Sequence, residues 1–171
     1  MLSFGVLSES DAPAVQSLLE SNPGYTVRVS GRQPAPHDGF DVLVDGPPDL
    51  TPGYKHCYGA WLDDTLVGVA DVLQSWPTPQ TAHIGLLLVH GEHEGKGIGR
   101  ALHDHVLSVV PEWGVDTLRL GIVETNAAGA EPFWSKLGYR PTGRVVPFTE
   151  GTVRTTVAVW TRPLVESSSG N

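Results

Sequence analysis

One cysteine, one methionine and a shortage of basic side chains set the first limits on this 171-residue chain. Cys57 has no second thiol with which to close an internal disulfide. A small residue in a strand-like run is its ordinary role, and no chemistry is assigned to it. Lys and Arg number 11 against 19 Asp and Glu, a net charge of −8, which argues against nucleic acid or an anionic membrane surface as partner. Acidity can attract a cationic amine, but solubility accounts for it as readily. No apolar stretch approaches the roughly 18 residues that a bilayer span needs. Met1 to Ser10 has neither a basic start nor a sustained apolar run, so a cytoplasmic protein without a signal peptide is expected. No internal repeat is present.

What the chain does contain suits one well-buried core: 40% of its residues are hydrophobic, and a single domain over 1–165 is expected. The Ser-rich end, 166–171, is expected to be disordered. Phe4 to Glu9 suggests a strand, and Ser10-Asp11-Ala12-Pro13 offers a cap and an early proline for a helix through about Glu20. Residues 23–53 are so rich in Pro and Gly that they suggest a long, partly irregular insertion, with Phe40 to Val44 its one apolar run. His56 to Leu62 and Leu66 to Leu73 form a hairpin pattern about Asp63-Asp64-Thr65. Ala82 to Val89 is nearly continuous in apolar residues, as in a central strand covered on both faces. Ile98, Ala101, Leu102, Val106 and Val109 fall at helical spacing. Thr117 to Val123, Tyr139 to Phe148 and Thr155 to Thr161 suggest further strands, with a short helix from Ala128 to Leu137 between the first two.

The chemistry centres on Glu94-Gly95-Lys96-Gly97-Ile98-Gly99-Arg100, where a strand delivers the chain to glycines and then directly to a helix. Unpaired backbone N–H groups and the positive end of the helix dipole converge there, a suitable place for phosphate. The dinucleotide fingerprint needs Gly at position 100 or 102, where Arg100 and Leu102 stand. The nucleotide P-loop needs Gly at 90 and Ser or Thr at 97, where His90 and Gly97 stand. Neither template fits. The pattern that remains, [QR]-x-x-G-x-[GA] after an apolar strand, resembles the pyrophosphate loop of the Gcn5-related N-acetyltransferase (GNAT) superfamily. Downstream, Asn126 and Phe133-Trp134-x-x-Leu137-Gly138-Tyr139 resemble that family's strand-end Asn and its F-Y-x-x-x-G-[FY] helix.

The resemblance covers about residues 54–161. It implies an α/β (α+β) fold with a mixed, mostly antiparallel sheet of about six to seven strands flanked by about four helices. It also implies acetyl-CoA as cosubstrate, with Gly95, Lys96, Gly97, Ile98, Gly99 and Arg100 at the pyrophosphate. Main-chain groups of Leu87, Leu88 and Val89 would lie along the pantetheine arm, and Asn126, Phe133 and Trp134 would complete the cofactor site. Three features depart from the family. Glu94 stands where Gln or Arg is usual, the interval from Asn126 to Phe133 is one residue longer than common, and Trp134 stands where a tyrosine often protonates the departing thiolate.

Attack of an amine on a thioester needs positioning, carbonyl polarisation and removal of a proton. An alkylamine is only about one part in a thousand neutral at pH 7, so a base is required. His83, the lone titratable group in its strand, is the candidate, because several enzymes of the family carry a Glu or His base there. A main-chain N–H freed by a bulge near Leu88 or Val89 would polarise the carbonyl. Tyr139, the nearest phenol, is expected to pack in the core rather than serve as acid. His90-x-x-His93 with Glu92 and Glu94 lacks a third ligand at a recognised spacing, and no metal is expected. The expected activity is N-acetyl transfer from acetyl-CoA to a primary amine of a small molecule. The alternatives are transfer to protein or peptide amines, or a catalytically impaired acyl-CoA-binding sensor or scaffold. The oligomeric state stays open, a homodimer among the options.

Overall fold

The computed structural model describes residues 1–164. Seven strands form one sheet: β1 (Leu2–Val6), β2 (Lys55–Leu62), β3 (Thr65–Leu73), β4 (Thr81–Val89), β5 (Thr117–Val123), β6 (Arg140–Glu150) and β7 (Val153–Pro163). Their order is β1-β2-β3-β4-β5-β7-β6. Only β4 and β5 run parallel, and the other neighbours are antiparallel. Five helices accompany the sheet: α1 (Ala12–Ser21), α2 (Pro23–Ser30), α3 (Asp38–Val44), α4 (Ile98–Val109) and α5 (Ala127–Lys136). The seven strands fall within the expected range, and the helices exceed it by one. No helix among the described residues is long and apolar enough to cross a membrane. The expected disorder of 166–171 lies outside the described residues.

The extra helical content corrects the reading of 23–53 as an irregular insertion. Its prolines and glycines delimit helices rather than deny them. Pro23 begins α2, where a missing N–H costs nothing. Gly31 ends α2 in the left-handed region (φ 74) that favours glycine. Phe40 to Val44, strand-like in composition, lies within α3. Gly39 lets α3 approach α1 so closely that a Cβ there would lie 2.5 Å from the Gln16 backbone nitrogen.

Two apolar cores sandwich the sheet. On one face Ile98, Leu102 and Val106 of α4 and Trp134 of α5 pack on Ala82, Ile84, Leu118, Leu120 and Ile122. On the other, Val15, Leu18 and Leu19 of α1 pack on Leu66, Val69 and Leu88. The even-numbered residues of β4 therefore change faces along the strand. A bulge causes this: Asp71 of β3 faces Leu86 and Val72 faces Ile84, so Gly85 has no opposite number. One inserted residue shifts the phase of alternation, placing His83 on the same face as Leu86 and Leu88. The bulge is thus at Gly85 and not near Leu88 or Val89, which pair regularly with Val69 and Gly68. Register is fixed by β3, which explains why β4 alone did not reveal it.

Candidate functional site

The pairing of β4 with β5 runs from Thr81–Thr117 to Ile84–Leu120 and then stops. Beyond that point the strands diverge, and the β5-facing edge of β4 after the bulge has no ladder partner. A narrow cleft of about 60 Å³ fills the divergence. Leu86 and Leu87 line it from β4, Gly121 and Ile122 from β5, and Trp134 from α5, with Tyr25 and Val29 of α2 above.

At the end of β4 the chain enters the glycine-rich turn. Gly95 (φ 74) and Gly97 (φ 83) adopt left-handed backbone, and a Cβ at either would meet nothing within 4 Å. The turn is therefore glycine-rich for conformation and leaves open space before α4. The first helical hydrogen bond runs from the Ala101 N–H to the Gly97 carbonyl, leaving the N–H groups of Ile98, Gly99 and Arg100 without a helical acceptor. Ile98 and Gly99 are buried, whereas Gly95, Lys96, Gly97 and Arg100 are exposed. Among the described residues neither Lys96 nor Arg100 is in an ion pair. Phe133 packs on Gly99, where a Cβ would come within 3.2 Å of the ring.

The Glu94 side chain is engaged by Asn22. Its Oε1 accepts a hydrogen bond from Asn22 Nδ2 at 2.8 Å, and the same amide donates to the Val89 carbonyl at 3.0 Å. Asn22, at the junction of α1 and α2, thereby ties the unusual carboxylate to the end of β4. Leu87 contributes to the cleft wall, while the Leu88 side chain belongs to the α1-side core. Asn126 also lines the cleft, and its Oδ1 accepts from Arg28 Nε at 2.7 Å. A second tie joins the Thr125 hydroxyl to the Arg28 carbonyl at 2.5 Å, fastening α2 across the cleft.

His83 sits two residues before the bulge, in the part of β4 still paired with β5. Its Nδ1 faces Arg119 Nη1 at 3.0 Å, and Trp76 lies edge-on to its ring. With Arg119 as donor, Nδ1 accepts, which fixes a neutral ring with its proton on Nε2. Burial, and then the Arg119 charge, push the His83 pKa down to about 3. The imidazole is neutral at pH 7, as a base must be, but its lone pair is already engaged. It lines neither the cleft nor the larger groove on the α1 side of the sheet. Tyr139 is fully buried, its hydroxyl 2.8 Å from His103 Nε2, and burial raises its pKa. It occupies the core, as expected.

That groove, of about 320 Å³, is walled by α2, α3, β2, β3 and the end of β6. Five carboxylates line it, Asp38, Asp41, Asp45, Asp71 and Glu150, against two cations, Arg32 and Lys55. Both cations are engaged, Arg32 with Asp38 and Lys55 with Asp71, each at 2.8 Å. Asp71 stands over the bulge, where a Cβ at Gly85 would lie 2.9 Å from its Oδ2. Burial raises the Asp71 pKa, partly offset by Lys55. Burial foremost, with Asp71 adding, pushes the nearby Cys57 thiol up to about 12, consistent with an inert cysteine. Cleft and groove share Tyr25, Val29 and Leu86 as common wall. The sequence reading missed Tyr25, Arg28, Asn22 and the acidic groove. Asp71 alone carried a signal, as the one charged residue in the apolar run Leu66 to Leu73.

Comparison with known proteins agrees with this architecture. A streptothricin acetyltransferase from Escherichia coli is 30% identical over 86 residues, a stretch spanning 48% of this chain and 46% of that protein. The chain thus aligns with about half of that relative's length. An acetyltransferase from Thermus thermophilus has a similar structure (TM-score 0.75, 22% identity, 95% of this chain and 97% of that one). So has the ribosomal-protein-S18-alanine N-acetyltransferase from Escherichia coli (TM-score 0.69, 18% identity, 100% and 99%). At such identities the structural likenesses establish the fold alone. The sequence profile of the acetyltransferase (GNAT) family matches residues 22–139, more than half of the chain, and the chain belongs to that family.

Proposed function

We propose that the chain transfers an acetyl group from acetyl-CoA to a primary amine of a small, positively charged molecule by direct attack. One observation carries this reading: the cleft at the β4–β5 divergence and the acidic groove meet along a common wall. A thioester held in the cleft would present its carbonyl where the groove opens. Asp41, Asp45 and Glu150, beyond the two paired carboxylates, favour an ammonium-bearing acceptor there.

In this proposal the N–H groups of Gly95 to Arg100 hold the pyrophosphate, with Lys96 and Arg100 adding charge. The β5-facing edge of Leu87 to Val89 hydrogen-bonds the pantetheine arm. Asn126, its Oδ1 taken by Arg28, offers its Nδ2 as donor, and Phe133 and Trp134 form apolar walls. The turn suits an anion because Gly95 and Gly97 are exposed and no side chain crowds either of them.

Two groups compete for the acceptor's proton. His83 fills that role only if Arg119 releases Nδ1, whereas Asp71 already stands over the bulge and lines the groove. Geometry favours Asp71. Under this reading His83→Ala leaves the pH profile of kcat in place, and Asp71→Asn removes its acidic limb, the fall in rate as the base is protonated. The opposite pattern assigns the base to His83.

Thiol release from acetyl-CoA across an amine panel tests the function itself. Diamines and aminated sugars are expected to outpace neutral aromatic amines and acidic peptides. No thiol release from any amine, with a coenzyme A thermal shift retained, would point instead to an acyl-CoA-binding sensor. A preference for peptide amines would point to a protein substrate.

A further inference from the structure

Trp134 leaves the cleft without the family's usual proton donor, since an indole N–H does not ionise near neutral pH. Tyr139 is no substitute, being fully buried with its hydroxyl on His103. The wall shared by cleft and groove consists of Tyr25, Val29 and Leu86, and only Tyr25 carries an ionisable group. We propose that Tyr25 of α2 is the catalytic acid that protonates the departing sulfur, an inference that rests on the acetyl transfer proposed above.

The local structure suits this role. Tyr25, Arg28 and Val29 lie at i, i+3 and i+4, on one side of α2. The Arg28 side chain is anchored on Asn126, and its carbonyl accepts from Thr125. These two ties hold the tyrosine's helix across the cleft. Burial, with an added push from Asp71 and an opposing pull from Arg28, raises the Tyr25 phenol to about 12. It therefore stays protonated, and a donor, throughout the working pH range.

In the transfer step the amine nitrogen bonds to the acyl carbon, and the carbon–sulfur bond breaks with its electron pair going to sulfur. The Tyr25 O–H gives its proton to that sulfur. The proton lost by the nitrogen passes to Asp71 and restores the phenol, so amine and thioester yield amide and thiol. Asp71 is suited to the return because it lines the same groove as Tyr25.

Tyr25→Phe, which keeps the ring, tests the proposal on the full-length protein. The expected result is a fall in kcat of at least about tenfold, with KM for acetyl-CoA and acceptor unchanged within about twofold. A second measurement does not depend on turnover: titration of the thiol of bound coenzyme A by its ultraviolet thiolate absorbance. Loss of the phenol donor is expected to raise that thiol's pKa by about one unit in the variant. An unchanged kcat overturns the assignment. So does a fall in kcat with a matching rise in KM and an unaltered thiol titration, the pattern of a purely structural residue. If coenzyme A binds but no amine is accepted, the thiol titration alone decides the role of Tyr25. If coenzyme A produces no thermal shift with the parent protein, the acetyl-transfer reading itself fails, and this inference with it.

Discussion

Lowering the pH should expose the cost of keeping His103 neutral inside the core. The residue is 0% exposed, its Nε2 lies 2.8 Å from the Tyr139 hydroxyl, and its Nδ1 has no partner among the described residues. A second ring proton would therefore be a buried donor without an acceptor. Burial foremost, with Arg162 adding, lowers the pKa from 6.5 to about 4. Because the folded-state value is depressed, the unfolded chain takes the proton first. The stabilising contribution is complete above pH 6.5 and declines as pH falls toward 4, at up to about 1.4 kcal/mol per unit. Between pH 6.5 and 4.5 this amounts to about 2 kcal/mol. Urea unfolding at several pH values measures it, in the parent and in His103→Gln, whose amide can still reach Tyr139 but does not titrate. The variant is expected to start about 1–2 kcal/mol less stable at pH 7.5 and then to lose about 2 kcal/mol less on acidification. It should still decline somewhat, because His83 is depressed too and acts with the same sign. Equal losses in both proteins across this window would refute the reasoning.

Three other perturbations probe the site. Asn22→Ala should free the Glu94 carboxylate to approach the glycine turn, weakening coenzyme A binding by about 1 kcal/mol, roughly fivefold, in calorimetry. Adding Glu94→Gln should restore the affinity, and failure to do so would mean that charge is not the cause. Gly97→Ala places a Cβ on left-handed backbone with no steric neighbour, so backbone strain alone should cost about 1–2 kcal/mol and lower Tm by about 3–6 °C. Gly85→Val should displace the Asp71 carboxylate, 2.9 Å from the new Cβ, and lower kcat while coenzyme A affinity stays within about threefold. A parallel loss of affinity would show that the bulge supports the cofactor turn as well.

The parts of the fold that could be read from sequence are those whose signals are local. The β2–β3 hairpin, β4, α4 and β5 declare themselves through runs, periodicity and punctuation within a few residues. Helices α2 and α3 were hidden because Pro23 and Gly31 look like breakers until their places at helix ends are known. The insertion of β7 between β5 and β6 follows no local signal, since it depends on which edge a closing strand finds. The glycine turn was legible because a short contiguous motif encodes it. The acidic groove was not, because α3, β2, β3 and β6 each contribute only one or a few of its charged residues.

Gly85 connects these levels. As the unopposed residue of a bulge it reverses the faces of β4, so one strand serves the α4-side core with Ala82 and Ile84 and the α1-side core with Leu88. Ladder pairing between β4 and β5 ends one residue before it, so the divergence that opens the cleft begins at the bulge. Lacking a Cβ, it leaves room for the Asp71 carboxylate to overlie that opening from β3. A regular β4 would have kept Leu86 and Leu88 on the α4 side with Ile84 and carried the ladder onward, and cleft and groove would no longer share a wall. The apolar continuity of Ala82 to Val89 thus reports cover on both sides of the strand. Beyond the bulge Leu86 and Leu88 meet the α1-side core while Leu87 and Val89 pack against the α4-side core, so this half of the strand is apolar at every position.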